Sequence, residues 1–154
     1  MSYFKLIQGL KEVLEQDSRI KTITEGDIED FNAYKYDLPA IAHIDVEDGN
    51  FEENLTVLDV SIDFVDYVNV EQNITNEKFK GNDNRQEVYN DMLNVSRRVF
   101  QKIRKFSFDD KIYVRDAAPI RKIYQFANDN RLVGWTVQFQ AEVPDVIIDI
   151  CETI

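Results

Sequence analysis

Apolar positions recur with a helical period in two stretches of the chain and alternate with polar ones in several others. The longest helical pattern runs from Asp83 to about Lys105. In it Val88, Met92, Val95, Val99 and Ile103 fall at spacings of four, three, four and four residues and so share one face. Asp83 reads as the N-cap, with Gln86 three residues on as its capping-box partner. Glu87 and Asp91 lie early, and Arg97, Arg98, Lys102, Arg104 and Lys105 lie late, the order that the helix dipole favours. A second apolar stripe, Tyr89, Leu93 and Phe100, sits roughly one quarter of a turn away, at about 100° per residue. One sheet absorbs one stripe, so the second calls for another partner, in this chain or in a neighbouring one.

The other elements follow in order. Ser2 to about Gln16 reads as an amphipathic helix capped by Ser2, with Phe4, Leu6, Ile7, Leu10, Val13 and Leu14 on its apolar side; Asp17 and Ser18 end it. Arg19 to Thr24 is a candidate short strand. Glu25 to Asp37 is an irregular loop carrying Phe31, Tyr34 and Tyr36, which serve either as a contact surface or as anchors packed on the core. Pro39 leads into a strand from Ala40 to Val46, and Asp48-Gly49 is a hairpin signal. Leu55 to Val68 is the clearest strand: Leu58, Val60, Ile62 and Phe64 alternate with Asp59, Ser61 and Asp63, which predicts one core face and one acidic, wet face. Residues 69–82 read as a loop. Beyond the long helix, Ile112–Arg115 and Ile120–Ala127 are short strands, and Asn128-Asp129-Asn130 is a turn. Leu132–Val143 is a second alternating strand with Trp135, Val137, Phe139 and Ala141 on one side, interrupted by Pro144.

This order predicts a single α+β domain over residues 1–154, with a mainly antiparallel sheet, the long helix packed on one face, an N-terminal helix, and residues 144–154 as a candidate C-terminal arm. A length of 154 residues and a 44% apolar content suit one core, and five glycines and three prolines argue against a linker-rich chain. No apolar run approaches the ~20 residues of a membrane span, and the N-terminus lacks a cleavage-site pattern.

Charge adds a further feature. The net charge is −11, yet Tyr36–Glu77 holds eleven acids and no Lys or Arg, while Lys78–Arg131 holds thirteen bases against seven acids. These are either solvated faces or complementary surfaces; placed on opposite sides of the fold, they would pack copies head to tail.

Catalytic patterns are missing from the sequence: no Gly-rich phosphate loop, HExxH, CxxC or GxSxG occurs. Neither enzymatic activity nor a cofactor or metal is expected. Asp59 and Asp63 share a strand face while Asp66 points away, and the single His43 sits in an apolar strand as a satisfied, partly buried residue. The single Cys151 excludes an internal disulfide and fits a reducing compartment. The bases of the long helix, with Lys111, Arg115, Arg121, Lys122 and Arg131, could form a basic patch, but a pI near 4.5 opposes general affinity for phosphates.

The succession of an N-terminal amphipathic helix, LPAIAHI, LTVLDVSIDF, the helix RQEVYNDMLNVSRRVFQKI and the closing strand GWTVQFQAEV resembles the tail-terminator, tail-completion and neck (head–tail connector) ring proteins of tailed bacteriophages. The resemblance is one of pattern and covers roughly Ser2 to Val143. It implies a homo-oligomeric ring in the virion, assembled in the host cytoplasm, in contact with portal, neck or tail-tube proteins and traversed by DNA without sequence-specific binding. Carried over, Asp59, Ser61 and Asp63 face a lumen or a neighbour, and Tyr89, Leu93, Phe100, Arg97 and Arg98 meet an adjacent subunit. Reversing both Arg97 and Arg98 is then expected to spare the fold and weaken assembly. A small soluble adaptor module without catalysis is the alternative.

Overall fold

The structure, a computed structural model, describes residues 2–26, 40–68, 78, 84–108, 111–115, 117–127 and 130–144. The aromatic segment with Phe31, Tyr34 and Tyr36, the loop 69–77, the Asp83 cap and the extension 145–154 with Cys151 lie outside them.

Among the described residues eight elements are formed: α1 (Ser2–Glu15), β1 (Thr22–Glu25), β2 (Ile41–Phe51), β3 (Leu55–Tyr67), α2 (Arg85–Lys105), β4 (Tyr113–Val114), β5 (Ile120–Ala127) and β6 (Asn130–Pro144). The strands make one sheet in the order β1-β2-β3-β6-β4, with β5 also on β6. The protein is thus α+β. The sheet is mixed rather than uniformly antiparallel: β1 runs parallel to β2, and the other pairings are antiparallel.

The helix-facing side of the sheet carries the apolar half of each alternation. Ala42 and Ile44 of β2, Val60, Ile62 and Phe64 of β3, and Val133, Val137, Phe139 and Ala141 of β6 are all buried in one cluster. From α2 this cluster takes Val88, Met92, Val95, Val99 and Ile103, the face expected from the spacing. The start of α2 differs from expectation. Asn84 occupies the N-cap position and makes no side-chain capping bond. A cap is worth ~1 kcal/mol, whereas each buried apolar side chain contributes about 1.5–3 kcal/mol. Packing therefore outweighs a cap in holding α2 in place. On α1, Leu6, Leu10, Val13 and Leu14 are buried, but Phe4 is 64% exposed, one turn short of the cover that the core provides.

The hairpin turn also moves. Asp48-Gly49 does not turn the chain. Instead the pairing shifts register between Val46 and Gly49, and β2 continues to Phe51, opposite Thr56. A Cβ on Gly49 would lie 2.9 Å from Leu58 Cδ2 and 3.0 Å from the Val57 carbonyl oxygen, so the glycine serves a bulge rather than a turn. The loop is closed by the Glu52 N–H donating to the Leu55 carbonyl at 2.9 Å.

β3 and β6 pair without a shift from Leu55 opposite Pro144 to Tyr67 opposite Leu132. At Gly134 the approach leaves no room for a side chain: a Cβ there would lie 1.7 Å from the Phe64 carbonyl oxygen. Only a residue without a side chain lets β6 ride this close to β3. Gly134→Ala should therefore destabilise the fold by about 3 kcal/mol or more, measured as a shift in the urea midpoint; a loss below ~0.5 kcal/mol would show that the strands can part there at no cost.

Candidate functional site

The expected subunit-contact stripe on α2 is partly used at home. The Tyr89 ring meets Trp135 edge-on, with centroids 6.1 Å apart, and lies under the Lys122 ammonium at 4.6 Å. Its hydroxyl donates to the Ile123 carbonyl at 3.2 Å, and the Trp135 indole N–H donates to the Tyr89 carbonyl at 2.9 Å. Burial pushes the Tyr89 phenol above its ordinary pKa. Phe100 packs on Phe139, with centroids 5.8 Å apart. The curl of the sheet thus brings β5 and β6 under the flank of the helix, which sequence spacing alone could not reveal.

This packing leaves an apolar groove of about 360 Å³ between α2 and the β5–β6 edge, lined by Leu93, Ser96, Arg97, Phe100, Ala118, Ile120 and Val137. Ile120 is 50% exposed. Leu93 and Phe100 are half-buried, and Arg97 is exposed at the rim, where it has no ion pair among the described residues.

Arg98 has a different role from its neighbour. Its guanidinium grips Asp17 at both oxygens, Nε to Oδ2 at 2.7 Å and a terminal N–H to Oδ1 at 3.0 Å. The Asp17 side chain is almost completely buried, at 1% exposure. It also accepts the Arg19 backbone N–H at 3.0 Å, which shapes the exit from α1. Burial alone would raise the Asp17 pKa. The Arg98 bond, the Arg19 amide and the charges of Arg98 and Lys102 outweigh it and hold the carboxyl below its ordinary 3.8. Arg98 is therefore a strut between α2 and the end of α1, and reversing its charge attacks the fold. The expectation that both arginines lie on a dispensable polar side holds for Arg97 only.

On the sheet face away from the helices, Ser61 and Asp63 are buried, at 4% and 3% exposure, and Asp59 is half-buried. The wet acidic face expected there is buried at Ser61 and Asp63, and only the Asp59 end of it stays open to solvent. Register places Thr24, His43, Asp63, Thr136 and Arg121 in one row across five strands. The Thr136 hydroxyl donates to Asp63 Oδ1 at 2.6 Å. His43, 1% exposed, has Nδ1 2.7 Å from the Thr24 hydroxyl and Nε2 3.0 Å from the Gly26 carbonyl. A carbonyl only accepts, so Nε2 carries the proton. Ser61 donates to Glu47 Oε1 at 3.2 Å. Asp59 accepts from the Gln140 amide at 3.0 Å, and Gln140 in turn accepts from Arg115, whose Nε also reaches Glu142 at 3.1 Å. Asp66 leaves this row, as expected, and pairs with Arg19. These groups satisfy one another, and among the described residues no three His, Cys, Asp or Glu side chains are grouped to hold a metal ion. The row is a polar seam, buried at His43 and Asp63 and open at Arg121, whose paired groups favour one strand register. The alternation gave its members on each strand, but their alignment required the register.

Among the described residues no helix is long and apolar enough to cross a membrane. Neither a protein-family model nor a curated protein matches the chain.

Two outcomes follow from the charged pairs. Arg98→Ala should cost about 2 kcal/mol, below the full cost of breaking a buried pair because Arg98 itself is half-exposed. Since the Asp17 pKa is depressed, this contribution is present above 3.8 and lost as pH falls through the lowered folded value, so mutant and native stabilities should converge in acid. Parallel loss at every pH in denaturant titrations would refute the assignment. Asp63 behaves oppositely. Burial raises its pKa above 3.8 despite the Thr136 bond and the charges of His43 and Arg121, so the native state binds the extra proton and stability falls as pH rises through the window above 3.8. Asp63→Asn keeps the Thr136 acceptor and removes the charge. Its melting temperature should gain on the native protein from pH 4 to 7, and a widening deficit would contradict a desolvated carboxylate.

Proposed function

We propose that this chain is a structural, ring-forming protein of a tailed-phage neck or tail, acting by assembly rather than catalysis. The observation that supports it best is the α2 flank. Tyr89 and Phe100 are anchored on the chain's own sheet, yet Leu93, Phe100, Ala118 and the half-exposed Ile120 still frame an apolar groove with Arg97 at its rim. An apolar surface edged by a charge is the composition of a contact patch. The long β2–β3 hairpin and the exposed bases of α2 (Arg97, Lys102 and Lys105) suit subunits that repeat head to tail. In this reading the sheet-and-helix body forms the ring wall, docks on a portal-side or tube-side ring and leaves a channel for DNA. The saturated polar seam gives no group to a reaction.

Arg97→Glu tests the reading without harming the fold, since Arg97 is exposed and separate from the Arg98–Asp17 strut. The native chain should sediment as oligomers at high concentration and low salt, with dissociation favoured by added salt. Arg97→Glu should shift it to smaller species at unchanged melting temperature. A native chain that stays monomeric in low salt, and that imaging fails to find as a ring on the phage particle, sinks the proposal and leaves the soluble adaptor.

A further inference from the structure

Phe51 is 87% exposed, the most exposed of the large apolar side chains described. It stands at the end of β2, where the hairpin turns, and Glu47, Asp48, Glu52 and Glu53 are exposed around it, with no base between residues 47 and 54. An aromatic side chain standing almost wholly in water, with acids before and after it in the sequence, has the character of an anchor for a partner's pocket. The groove beside α2 has the opposite character: apolar walls, room for one aromatic side chain, and the positive Arg97 at its mouth.

We propose that the hairpin tip of one copy inserts Phe51 into the α2–β5 groove of the next, with Glu52 and Glu53 meeting Arg97. This rests on the ring reading and names the partner of its groove. The tip cannot fill its own groove. Leu55, at the base of the loop, pairs with Pro144, whereas the groove residue Val137 lies seven residues earlier on β6, about 23 Å away along the strand at ~3.3 Å per residue. The contact therefore joins two different surfaces, the heterologous kind that propagates until it closes. Another exposed aromatic region, around Phe4 on α1, is a poorer receiver for the acidic tip because its lining carries two acids, Glu12 and Glu15, against the single Lys11.

The test mixes full-length copies carrying Phe51→Cys with copies carrying Ile120→Cys under mild oxidation. Mass spectrometry identifies the linked peptides, which separates this bond from any made by Cys151. The 51–120 link should form severalfold more than the link to copies carrying Phe4→Cys. Adding Arg97→Glu to the Ile120→Cys copy should lower it, and Glu52→Lys/Glu53→Lys in the Phe51→Cys copy should restore it. A yield no higher than with Phe4→Cys, or one indifferent to both charge changes, overturns the proposal. Sedimentation of the native chain separates the two ideas. Oligomers without the link leave the ring and remove this contact. The link without larger oligomers, and without a ring on the phage particle, keeps the contact and removes the ring, and the absence of all three removes both.

Discussion

The pairing of β6 with β3 is the constraint on which the rest of the structure depends. β6 is the shared strand: one edge takes the whole of β3, and the other takes both β4 and β5. Its odd-numbered residues form the platform for α2, and its even-numbered residues complete the polar seam. The contact at Gly134 leaves no room for a side chain between the two longest strands, and the sheet they belong to is curled. That curl brings β5 under the helix flank and turns what would be an exposed aromatic stripe into a partly filled groove.

The seam and the Arg98–Asp17 strut show two ways of using buried charge. Asp17 is held by a bidentate cation and an amide, so its ionised form is favoured. Asp63 has one hydroxyl donor and more distant charges, so burial dominates. A chain of net charge −11 thus keeps one carboxylate as a tie and tolerates another as a register mark. The seam is specific because a one-residue slip of β3 would place Asp63 on the helix side, against Met92, Val95 and Val99 of the core, and turn Val60, Ile62 and Phe64 onto the polar face.

The element order and the apolar faces were legible because they depend on spacing alone. Val88 to Ile103 on α2 and Trp135 to Ala141 on β6 needed only their periods. Features that depend on register or tertiary approach were not legible. The Asp48-Gly49 pair has turn composition, but the register shift after Val46 spends the glycine on a bulge. Ser61 and Asp63 alternate as a solvated face would, but Thr136, His43 and Glu47 close over them, and those partners lie on other strands. Arg97 and Arg98 are neighbours of the same type; only the position of Asp17, 81 residues from Arg98, separates a structural strut from an open surface charge. The parallel β1–β2 pairing likewise depends on a return path that local patterning does not encode.

The bulge after Val46 has a consequence for how such a protein can change. On β2 the buried positions end at Ile44, and from Glu47 to Asn54 every residue is exposed. Apart from Gly49, whose bulge leaves no room for a side chain, substitutions in this segment fall outside the packed interior, where a surface change usually alters stability by no more than about 0.5 kcal/mol. The shape and charge of the tip can therefore drift from one lineage to the next while the domain beneath stays the same. With the proposed tip contact, partner choice would evolve separately from foldability, and two proteins with this scaffold would become mutually incompatible through this one segment, residues 47–54.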